Sequence, residues 1–350
     1  MWKIGVRRTL AVWAGLIGLT VALAKTTTVP AVVVVRAATP CEFTGVSRIV
    51  AVGDVHGAAD RFIGILQAAG LIDDKQHWSG GGAHLVQLGD VLDRGPDSRR
   101  ALDLLHRLEG EAEKAGGAVH ALLGNHEINR MLGDLRFVTP GEYEAFQTSD
   151  SESVRAKFIE SSNSQDRDKL LKSTPLGQVE MRVAFGRRGQ YGEWLRKLNT
   201  VVRINGIVFV HGGISPAVAE MSCEQINDRV RKDLSDDLDK TRATPLASLS
   251  AREDGPLWYR GLAQLPDSDT AAFTDLLTKM RAKAIVIAHT VTTDGREHVR
   301  FNGRLFQIDT GMQSAYVQGG RASALEIVGD VFTAIYDDRK DTLAGPTSPH

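Results

Sequence analysis

Three short motifs that place an acidic or amide side chain beside glycine recur along the chain at nearly equal spacing. They are Gly53-Asp54-Val55-His56-Gly57, the GDVLDRG stretch from Gly89 to Gly95, and Gly124-Asn125-His126-Glu127. Asp54 and Asp90 are 36 residues apart, Asp90 and Asn125 are 35 apart, and an apolar run precedes each motif. Because a βαβ unit takes about 30 residues or more, this spacing predicts consecutive βαβ units. Ligands of such sheets bind beyond the carboxyl ends of the strands, where these side chains would meet.

The segments between the motifs carry the helical period. Apolar residues at i, i+3, i+4 and i+7 predict helices over 58–70 and 97–109, which would connect the first three strands. Further helices are expected over 148–172, 223–239 and 270–281.

A second set of strands is predicted after residue 200. Two apolar runs flank Asn205-Gly206, a pair that predicts a tight hairpin, and the second run ends at His211. Another apolar run, 284–288, ends at His289. Alternating patterns predict antiparallel strands over 304–308, 324–328 and 331–336.

The N-terminal segment has the composition of a secretory signal. Lys3, Arg7 and Arg8 precede a sixteen-residue apolar run that starts at Thr9 and ends at Ala24. A basic start, an apolar stretch and small residues before the cleavage point are typical of such signals. We therefore expect export, to the periplasm in a bacterium, with cleavage after Ala24. The alternative is an uncleaved anchor, which would be the chain's one contact with a membrane.

Composition limits the partners and the redox chemistry. A chain of 350 residues that is 42% hydrophobic and 24% charged predicts one large domain, or one domain with a cap. Without residues 1–24, 39 basic residues face 43 acidic ones, a net charge of −4 that favours neither nucleic acid nor an anionic membrane as partner. Cys41 and Cys223 are the only cysteines, and pairing or two free thiols are equally compatible with the sequence.

The motif side chains are metal donors of one chemical kind. Asp54 and His56 stand at i and i+2 on a segment predicted to be extended, so they would face the same side. Carboxylate, imidazole and amide donors without a thiolate suit manganese, iron or zinc. Asp90 is the natural shared carboxylate of a metal pair, and His211 and His289 would complete the second ion's ligands. Such a pair clamps both oxygens of an in-line displacement and lowers the pKa of a bridging water.

Five motifs together carry a family resemblance. In order they are GDVHG, GDVLDRG, GNHE, His211-Gly212-Gly213 and Ala288-His289-Thr290. The chain resembles the calcineurin-like metallophosphoesterases in this combination, and specifically their phosphoprotein phosphatase branch. Residues 133–134, 255–261 and 309–312 are similar to the Shewanella-like protein phosphatases within that branch. The resemblance covers roughly residues 47–330.

The resemblance implies an α/β fold, a four-layer αββα sandwich, with two divalent metal ions at its strand ends. Manganese is the expected metal, with iron or zinc as alternatives. The implied ligands are Asp54, His56 and Asp90 for the first ion, and Asp90, Asn125, His211 and His289 for the second.

The resemblance also implies the catalytic and phosphate-binding groups. His126 would be the general acid for the leaving group, and Asp93 would orient it. Arg94 and Arg260 would bind the phosphate, with Asn125 also in reach of it. Arg94 suits this role on its own chemistry, because a guanidinium is a fixed bidentate donor for phosphate oxygens.

Domain organisation and function follow from the same resemblance. Residues 47–340 are expected to form the catalytic domain, with 128–200 as a helical insertion, 25–46 as a tether or edge strand, and 341–350 as a disordered tail. The implied activity is hydrolysis of phosphomonoesters by a metal-bridging hydroxide, on a phosphoprotein (Ser/Thr or Tyr) or a small phosphomonoester.

Two other functions are compatible with part of the pattern. A dinucleoside polyphosphate hydrolase would share the first three motifs. A non-catalytic extracytoplasmic metal-binding protein would not need an intact Asp90 and His126, and both are present.

Overall fold

The structure, a computed structural model, describes residues 40–162 and 165–346. The predicted signal segment 1–24, the first part of the predicted tether, 25–39, and the final residues 347–350 lie outside the described residues. In the part of the chain that is described, no helix is long and apolar enough to cross a membrane.

Strands in the described residues form two six-stranded mixed sheets. They are β1 Glu42–Phe43, β2 Arg48–Val52, β3 His84–Gln87, β4 Ala118–Ala121, β5 Val201–Ile204, β6 Ile207–Val210, β7 Ala284–Ile287, β8 His298–Arg300, β9 Leu305–Gln307, β10 Ser323–Val328, β11 Val331–Tyr336 and β12 Lys340–Leu343. The first sheet has the order β1-β5-β6-β7-β9-β8 and the second the order β12-β11-β10-β2-β3-β4.

The described helices cover both sheets and fill the long segment between β4 and β5. They are α1 Ala59–Ala68, α2 Ser98–Lys114, α3 Asn125–Leu132, α4 Pro140–Glu144, α5 Ser151–Ser161, α6 Arg167–Lys172, α7 Gln178–Ala184, α8 Gln190–Leu195, α9 Cys223–Leu234, α10 Leu238–Ala243, α11 Gly261–Gln264 and α12 Thr270–Lys279. Short 3-10 turns occupy Val218–Glu220 and Pro245–Ala247.

The predicted βαβ units are present. β2 pairs with β3 and β3 with β4, both in parallel, and α1 and α2 provide the crossovers. The predicted hairpin joins β5 and β6, with Asn205 and Gly206 at φ 50° and 78° in its turn. Because β2, β3 and β4 are parallel, the three motifs leave their strands at one edge of the second sheet.

Alternate residues of each strand separate two apolar layers. In β2, Ile49 and Ala51 pack between the sheets, whereas Val50 and Val52 belong to the cluster that includes the helices. The rings of Phe306 and Phe332 stack with centroids 4.8 Å apart and join β9 of one sheet to β11 of the other. This period of two, with helices outside both sheets, is the predicted four-layer sandwich.

Three sequence predictions of secondary structure were wrong in part. The helix expected over 223–239 ends at Leu234, because the carbonyl of Asp233 accepts the Thr241 hydroxyl at 3.0 Å and the amide of Asp237 turns back to Lys232. The strand expected over 304–308 pairs antiparallel with β8 but parallel with β7.

The third correction concerns the C-terminal end. Lys340–Leu343 form β12 on the edge of the second sheet, where a disordered tail was expected from Asp341. Lys340 and Thr342 are exposed, whereas Asp341 and Leu343 are half-buried on the other face, where Leu343 packs on the layer between the sheets. An edge strand needs apolar residues on one face alone, so its composition resembles that of a tail.

The two cysteines form a disulfide in the structure. Cys41 lies just before β1 and Cys223 begins α9, with their Cα atoms 6.3 Å apart and both residues buried. β1 pairs in parallel with β5 at the edge of the first sheet, so this part of 25–46 is an edge strand. The bond therefore ties the edge strand to the helix that covers it.

Candidate active site

Five loops bring the predicted metal ligands to one place. Asp54 and His56 follow β2, Asp90 follows β3, Asn125 begins α3, His211 follows β6 and His289 follows β7. All six residues are at most 7% exposed. Both sheets therefore contribute to the same buried cluster, each through the loops beyond the carboxyl ends of its strands.

Close backbone contact holds the motif loops together. Gly89 has φ 91°, and a Cβ on it would lie 2.4 Å from the amide nitrogen of Gly124. A Cβ on Gly124 would lie 2.3 Å from Oδ1 of Asp90. These two glycines therefore let two motif loops approach each other closely.

Several site residues adopt a backbone conformation that non-glycine residues rarely use. They are His56 (φ 48°), Asp90 (φ 54°), Asp93 (φ 70°), Arg94 (φ 67°) and His289 (φ 64°). Each such residue costs about 1 kcal/mol or more and persists where its surroundings enforce it, typically at functional sites. The extended geometry expected for Asp54 to His56 is thus wrong: a turn at His56 brings Nε2 within 3.6 Å of Oδ2 of Asp54.

One group of donors forms around His56. Its Nε2 lies 3.6 Å from Oδ2 of Asp54 and 3.7 Å from Oδ2 of Asp90. Its Nδ1 donates to the carbonyl of Leu92 at 2.9 Å. This hydrogen bond fixes the ring orientation and directs Nε2 toward the carboxylates, as outer partners do for metal-binding histidines.

A second group forms around His211. Nε2 of His211 lies 3.0 Å from Oδ1 of Asn125, 3.1 Å from Nδ1 of His289 and 3.3 Å from Oδ2 of Asp90. Its Nδ1 donates to the carbonyl of Leu88 at 2.8 Å. The ring is therefore oriented as His56 is, with Nε2 turned to the cluster.

The carboxylates and imidazoles move each other's pKa values apart. Burial lowers the pKa of His211, but Asp90 and Asp54 raise it more, to about 9. Burial raises the pKa of Asp90, but His211 and His126 lower it more, well below the usual range. Burial raises the pKa of Asp54 to about 6. Two buried carboxylates thus attract positive charge, which protons or divalent ions can supply.

The donor set fits divalent cations. Ligand atoms of His56, Asp90 and His126 lie within 4.8 Å of one another, as do those of Asp90, His211 and His289. Asp90 belongs to both groups, as expected for a shared carboxylate. Nε2 of buried His289 has no protein hydrogen-bond partner. Convergent oxygen and nitrogen donors without a thiolate are suited to manganese, iron or zinc.

The predicted acid and its partner are in contact. Nδ1 of His126 bonds Oδ2 of Asp93 at 2.6 Å, which leaves Nε2 facing the cluster, 3.9 Å from Oδ2 of Asp90. Burial lowers the pKa of His126, but Asp90 and Asp93 outweigh it and raise the pKa above its usual value. The raised pKa favours the protonated ring, in which the proton on Nε2 faces the cluster.

A buried chain of charges continues behind Asp93. Arg130 donates to Oδ1 of Asp93 at 2.5 Å and to Oε1 of Glu142 at 3.0 Å. Glu142 in turn accepts from the amide of Asp93 at 3.3 Å. Asp93 thus keeps a fixed position and a neutralising partner while it orients His126.

The two predicted phosphate-binding arginines lie beside the cluster. Arg94 donates to Nε2 of His56 at 2.7 Å, and its guanidinium lies 3.9 Å from the ring centroid of Tyr316, which is 56% exposed. Arg260 is exposed and donates to the carbonyl of His289 at 2.8 Å and to Oγ1 of Thr290 at 3.1 Å. Arg94 lies beside the first group of donors and Arg260 beside the second.

Sequence reasoning gave no role to several residues that shape the site. Glu127 accepts hydrogen bonds from the amides of Asp90, Val91 and Gly124, so one carboxylate fixes two motif loops. The capping-box spacing from Gly124 to Glu127 was the available signal. Arg130 lies four residues after His126 on α3, which predicts a shared helix face but not a carboxylate partner. Tyr316 lies in a loop with no motif.

Comparisons with known proteins agree with this geometry. A model of the calcineurin-like phosphoesterase family matches residues 47–292. An uncharacterized protein of Schizosaccharomyces pombe is 34% identical over 277 residues, which cover 78% of this chain and 75% of that protein. Shewanella-like protein phosphatase 2 of Arabidopsis thaliana is 31% identical over 289 residues, which cover 78% of this chain and 73% of that protein.

A solved structure gives the same result. The cold-active protein-tyrosine phosphatase of a psychrophilic Shewanella species superposes with a TM-score of 0.69 at 26% identity, over 87% of this chain and 83% of that one. The family and the fold that the motifs predicted are thereby confirmed. The chain belongs to the calcineurin-like phosphoesterase family and is a phosphoester hydrolase.

Proposed function

We propose that this protein is a phosphoprotein phosphatase that uses two divalent metal ions, with manganese as the metal and iron or zinc as alternatives. The observation that carries the proposal is the buried cluster around Asp90. Nitrogen and oxygen donors from five loops converge there, with an imidazole–carboxylate pair and two arginines beside them. No simpler role for the cluster accounts for all three features at once.

The metal ligands would be those implied by the motifs. They are Asp54, His56 and Asp90 for one ion, and Asp90, Asn125, His211 and His289 for the other. Bound there, the ions would activate a water between them as the nucleophile and neutralise charge on the phosphoryl oxygens. The protein's own part is to hold these donors in place through Leu88, Leu92 and Glu127.

Phosphate binding is assigned to Arg94, Arg260 and Asn125. A guanidinium offers a planar fork that matches two phosphate oxygens. Arg94 donates to Nε2 of His56 in the structure. With a cation held by that nitrogen, Arg94 would lose this acceptor and its N–H groups would be available to the phosphate. Tyr316, under Arg94, then limits how far the guanidinium can move.

Departure of the leaving group is assigned to His126. Its Nε2 would donate a proton to the leaving oxygen, and Asp93 would keep the ring in the orientation that points Nε2 at the cluster. The imidazolium that donates is stabilised by Asp93, whose second oxygen is already held by Arg130. Such a general acid contributes about 10²–10⁴-fold to rate.

Phosphorylated protein side chains are the proposed substrates. Two of the similar proteins bear the names of protein phosphatases, and the solved one is described as acting on phosphotyrosine. Tyr316 presents an exposed aromatic ring 6.3 Å from the ring of His56. An aromatic ring at the rim is a surface on which a phosphotyrosine ring can pack.

A substrate panel tests the proposal. The protein, stripped of metal with EDTA and reloaded with manganese, is assayed on phosphotyrosine and phosphoserine peptides, p-nitrophenyl phosphate and diadenosine tetraphosphate. We expect hydrolysis of the peptides, loss of activity in EDTA and recovery with manganese. Full activity without metal would overturn the two-metal site. Preference for diadenosine tetraphosphate over both peptides would replace the protein substrate with a dinucleotide.

We further propose that the protein is exported to the periplasm and that residues 1–24 are removed. The composition of that segment supports this, and so does the Cys41–Cys223 disulfide, because such bonds persist in oxidising compartments. N-terminal sequencing of protein from the periplasmic fraction should begin at Lys25. An intact N-terminus in the membrane fraction would support an anchor, and protein confined to the cytoplasm would contradict export.

A further inference from the structure

A second concave site lies at the C-terminal end of α3, the helix that begins with Asn125 and His126. It is a cavity of about 710 Å³ between α3, α7 and the segment that joins α9 to α10. Its apolar lining includes Leu132, Leu135, Phe185 and Leu238. Its basic lining consists of Arg130, Arg182, Arg187, Arg196 and Arg242.

Arg196 is buried, at 9% exposed, as is Arg130 at 5%. Its guanidinium donates to the carbonyls of Leu234 at 2.9 Å and Gly192 at 2.7 Å. Carbonyl oxygens orient a guanidinium without neutralising it. Burial and the positive charges of Arg187 and Arg242 lower the pKa of Arg196, so these three like charges act on one another.

Carboxylates do little to balance the charge. Asp236 and Asp239 also line the cavity, but Asp239 is an exposed partner of Arg242 at 3.2 Å and Asp236 faces Lys232 at 3.7 Å. Among the described residues, Arg187 has no ion pair or hydrogen bond through its side chain. Several guanidiniums therefore surround one cavity with fewer anionic partners than they need.

We propose that this cavity is a second binding site, whose ligand is an organic phosphate monoester. Clustered guanidiniums favour phosphate oxygens, because they bind them with paired charge-assisted hydrogen bonds. The apolar lining and the volume suit a carbon body attached to that phosphate. The ligand can be a free small phosphate or a second phosphorylated side chain of a protein substrate, and the chemistry of recognition is the same.

The cavity is also linked to the active site through one residue. Arg130 lines the cavity, and its guanidinium bonds the carboxylates of Asp93 and Glu142. Because those two carboxylates neutralise Arg130, the ligand's charge is left to the other four arginines, Arg182, Arg187, Arg196 and Arg242. A ligand in the cavity would lie next to the residue that holds the partner of His126.

Calorimetric titration of the metal-loaded full chain with orthophosphate tests the proposal without any need for hydrolysis. We expect two binding events in the wild type. Replacing Arg187 and Arg242 together by alanine should weaken one event by about tenfold or more and leave the other unchanged. Replacing Arg94 and Arg260 should affect only the other event, so failure of the proposed phosphatase site and failure of this cavity give different results.

Arg188 provides a matched control. It is the exposed neighbour of Arg187 in sequence but does not line the cavity. Arg188→Ala should leave both events unchanged, and Arg187→Ala alone covers the case in which the double variant is unstable. The absence from the wild type of any binding event that the Arg187→Ala and Arg242→Ala double variant weakens would overturn the proposal. So would equal losses in the Arg187→Ala and Arg188→Ala variants, which would indicate unspecific attraction to positive charge.

Two further titrations distinguish the sources of the phosphate. A peptide with two phosphonate groups should bind about 10²-fold or more tightly than one with a single group if both sites take one substrate. That gain should vanish in the Arg187→Ala and Arg242→Ala double variant. Equal affinity of the two peptides, with two orthophosphate events retained, would assign the cavity to a free small phosphate.

Discussion

Two pairs of histidines in this protein have nearly the same local geometry and very different surroundings. In the active site, Nε2 of His211 lies 3.1 Å from Nδ1 of His289. At the start of β3 and in β4, Nε2 of His120 lies 3.0 Å from Nδ1 of His84. Both pairs join neighbouring parallel strands or the loops that follow them.

Their charges differ because their neighbours differ. Asp90 and Asp54 raise the pKa of His211 to about 9, against the effect of burial. Burial, and then His84, lower the pKa of His120 to about 3, and the ring of Phe43 packs 4.6 Å from that of His120. Close imidazoles alone therefore make a neutral, apolar contact. A cation site needs the carboxylates that attract positive charge to it.

Removing the shared carboxylate should have the largest effect. Asp90→Asn takes a ligand from both donor groups and leaves His211 and His289 in surroundings closer to those of His84 and His120. We expect a loss in kcat beyond the 10²–10⁴-fold typical of a general acid, roughly to the limit of detection, with metal content reduced. Kinetics on p-nitrophenyl phosphate and metal analysis of the same sample measure this.

The other histidine pair supplies the control for that experiment. His84→Asn and His120→Asn should keep kcat and metal content within about twofold of the wild type, because neither residue contacts the donor groups. If His120→Asn removed metal as Asp90→Asn does, the distinction between the two pairs would be lost.

A third kind of histidine sharpens the comparison, because His126 is bonded to one carboxylate, Asp93, and is proposed to be the general acid. His126→Asn should slow hydrolysis of a phosphoserine peptide by about 10²–10⁴-fold and that of p-nitrophenyl phosphate much less. The alkoxide of serine needs a proton to leave, whereas p-nitrophenolate hardly does. Asp93→Asn should show the same bias in milder form.

A general acid at His126 and a metal ligand at Asp90 predict different dependences of kcat on the leaving group. Asp90→Asn should lower kcat on both substrates by similar factors. The metal ions would assist the attack of water and neutralise charge on the phosphoryl oxygens of either substrate. The measurement is kcat of every variant on both substrates, with bound metal quantified. Equal losses on the two substrates in His126→Asn, with metal retained, would assign His126 to phosphate binding or structure.

Of the two histidine pairs, only His211 and His289 should contribute to stabilisation of the protein by metal. Manganese at 100 times its dissociation constant adds about 2.7 kcal/mol to the free energy of unfolding. We expect EDTA to lower the Tm of the wild type and of His84→Asn by similar amounts, and to lower that of His211→Asn less, because that variant loses a ligand of the second ion only. An EDTA effect of wild-type size in His211→Asn would show that the stabilising metal binds elsewhere.

The smallest expected effect is the acid sensitivity of the apolar pair. His120 titrates near pH 6.5 in the unfolded chain and near 3 in the folded one, so between these values the unfolded state binds more protons. The contribution of His120 to the free energy of unfolding is fully present above about pH 6.5 and is lost as the pH falls toward 3. From pH 6.5 to 5.0 in EDTA, the Tm of His120→Leu should fall about 3 °C less than that of the wild type. Identical pH slopes would contradict the low pKa.

From the sequence, the order of strands within a sheet could be predicted only for neighbours that a short local connection joins. The spacing from Asp54 to Asn125 predicted three parallel strands, because each βαβ unit is complete in about 35 residues. The placement of β9 beside β7 depends on contacts between distant segments, and a period of two does not specify a neighbour. β12 escaped prediction because half of an edge strand is polar.

In the candidate site, the motifs predicted which side chains meet, but they did not predict the backbone conformation. Asp90, His211 and His289 meet as expected, but the left-handed conformations at His56 and Asp93 have no sequence signal, since glycine is absent from both positions. Arg130 has no motif either. Its role depends on Glu142, which comes from a separate helix and whose local pattern predicts a capping box with Thr139, not a bond to Arg130.

The disulfide turns most of the chain into a covalent ring. Cys41 and Cys223 are 182 positions apart in the sequence. The ring that they close contains every predicted metal ligand except His289. A single proteolytic cut in the exposed part of α5, for example, would open the ring without releasing a fragment. The nicked molecule would keep its mass on a non-reducing gel and separate into pieces only after reduction. Proteolytic cleavage within the helical insertion, residues 128–200, would thus leave the metal ligands before and after the cut covalently joined.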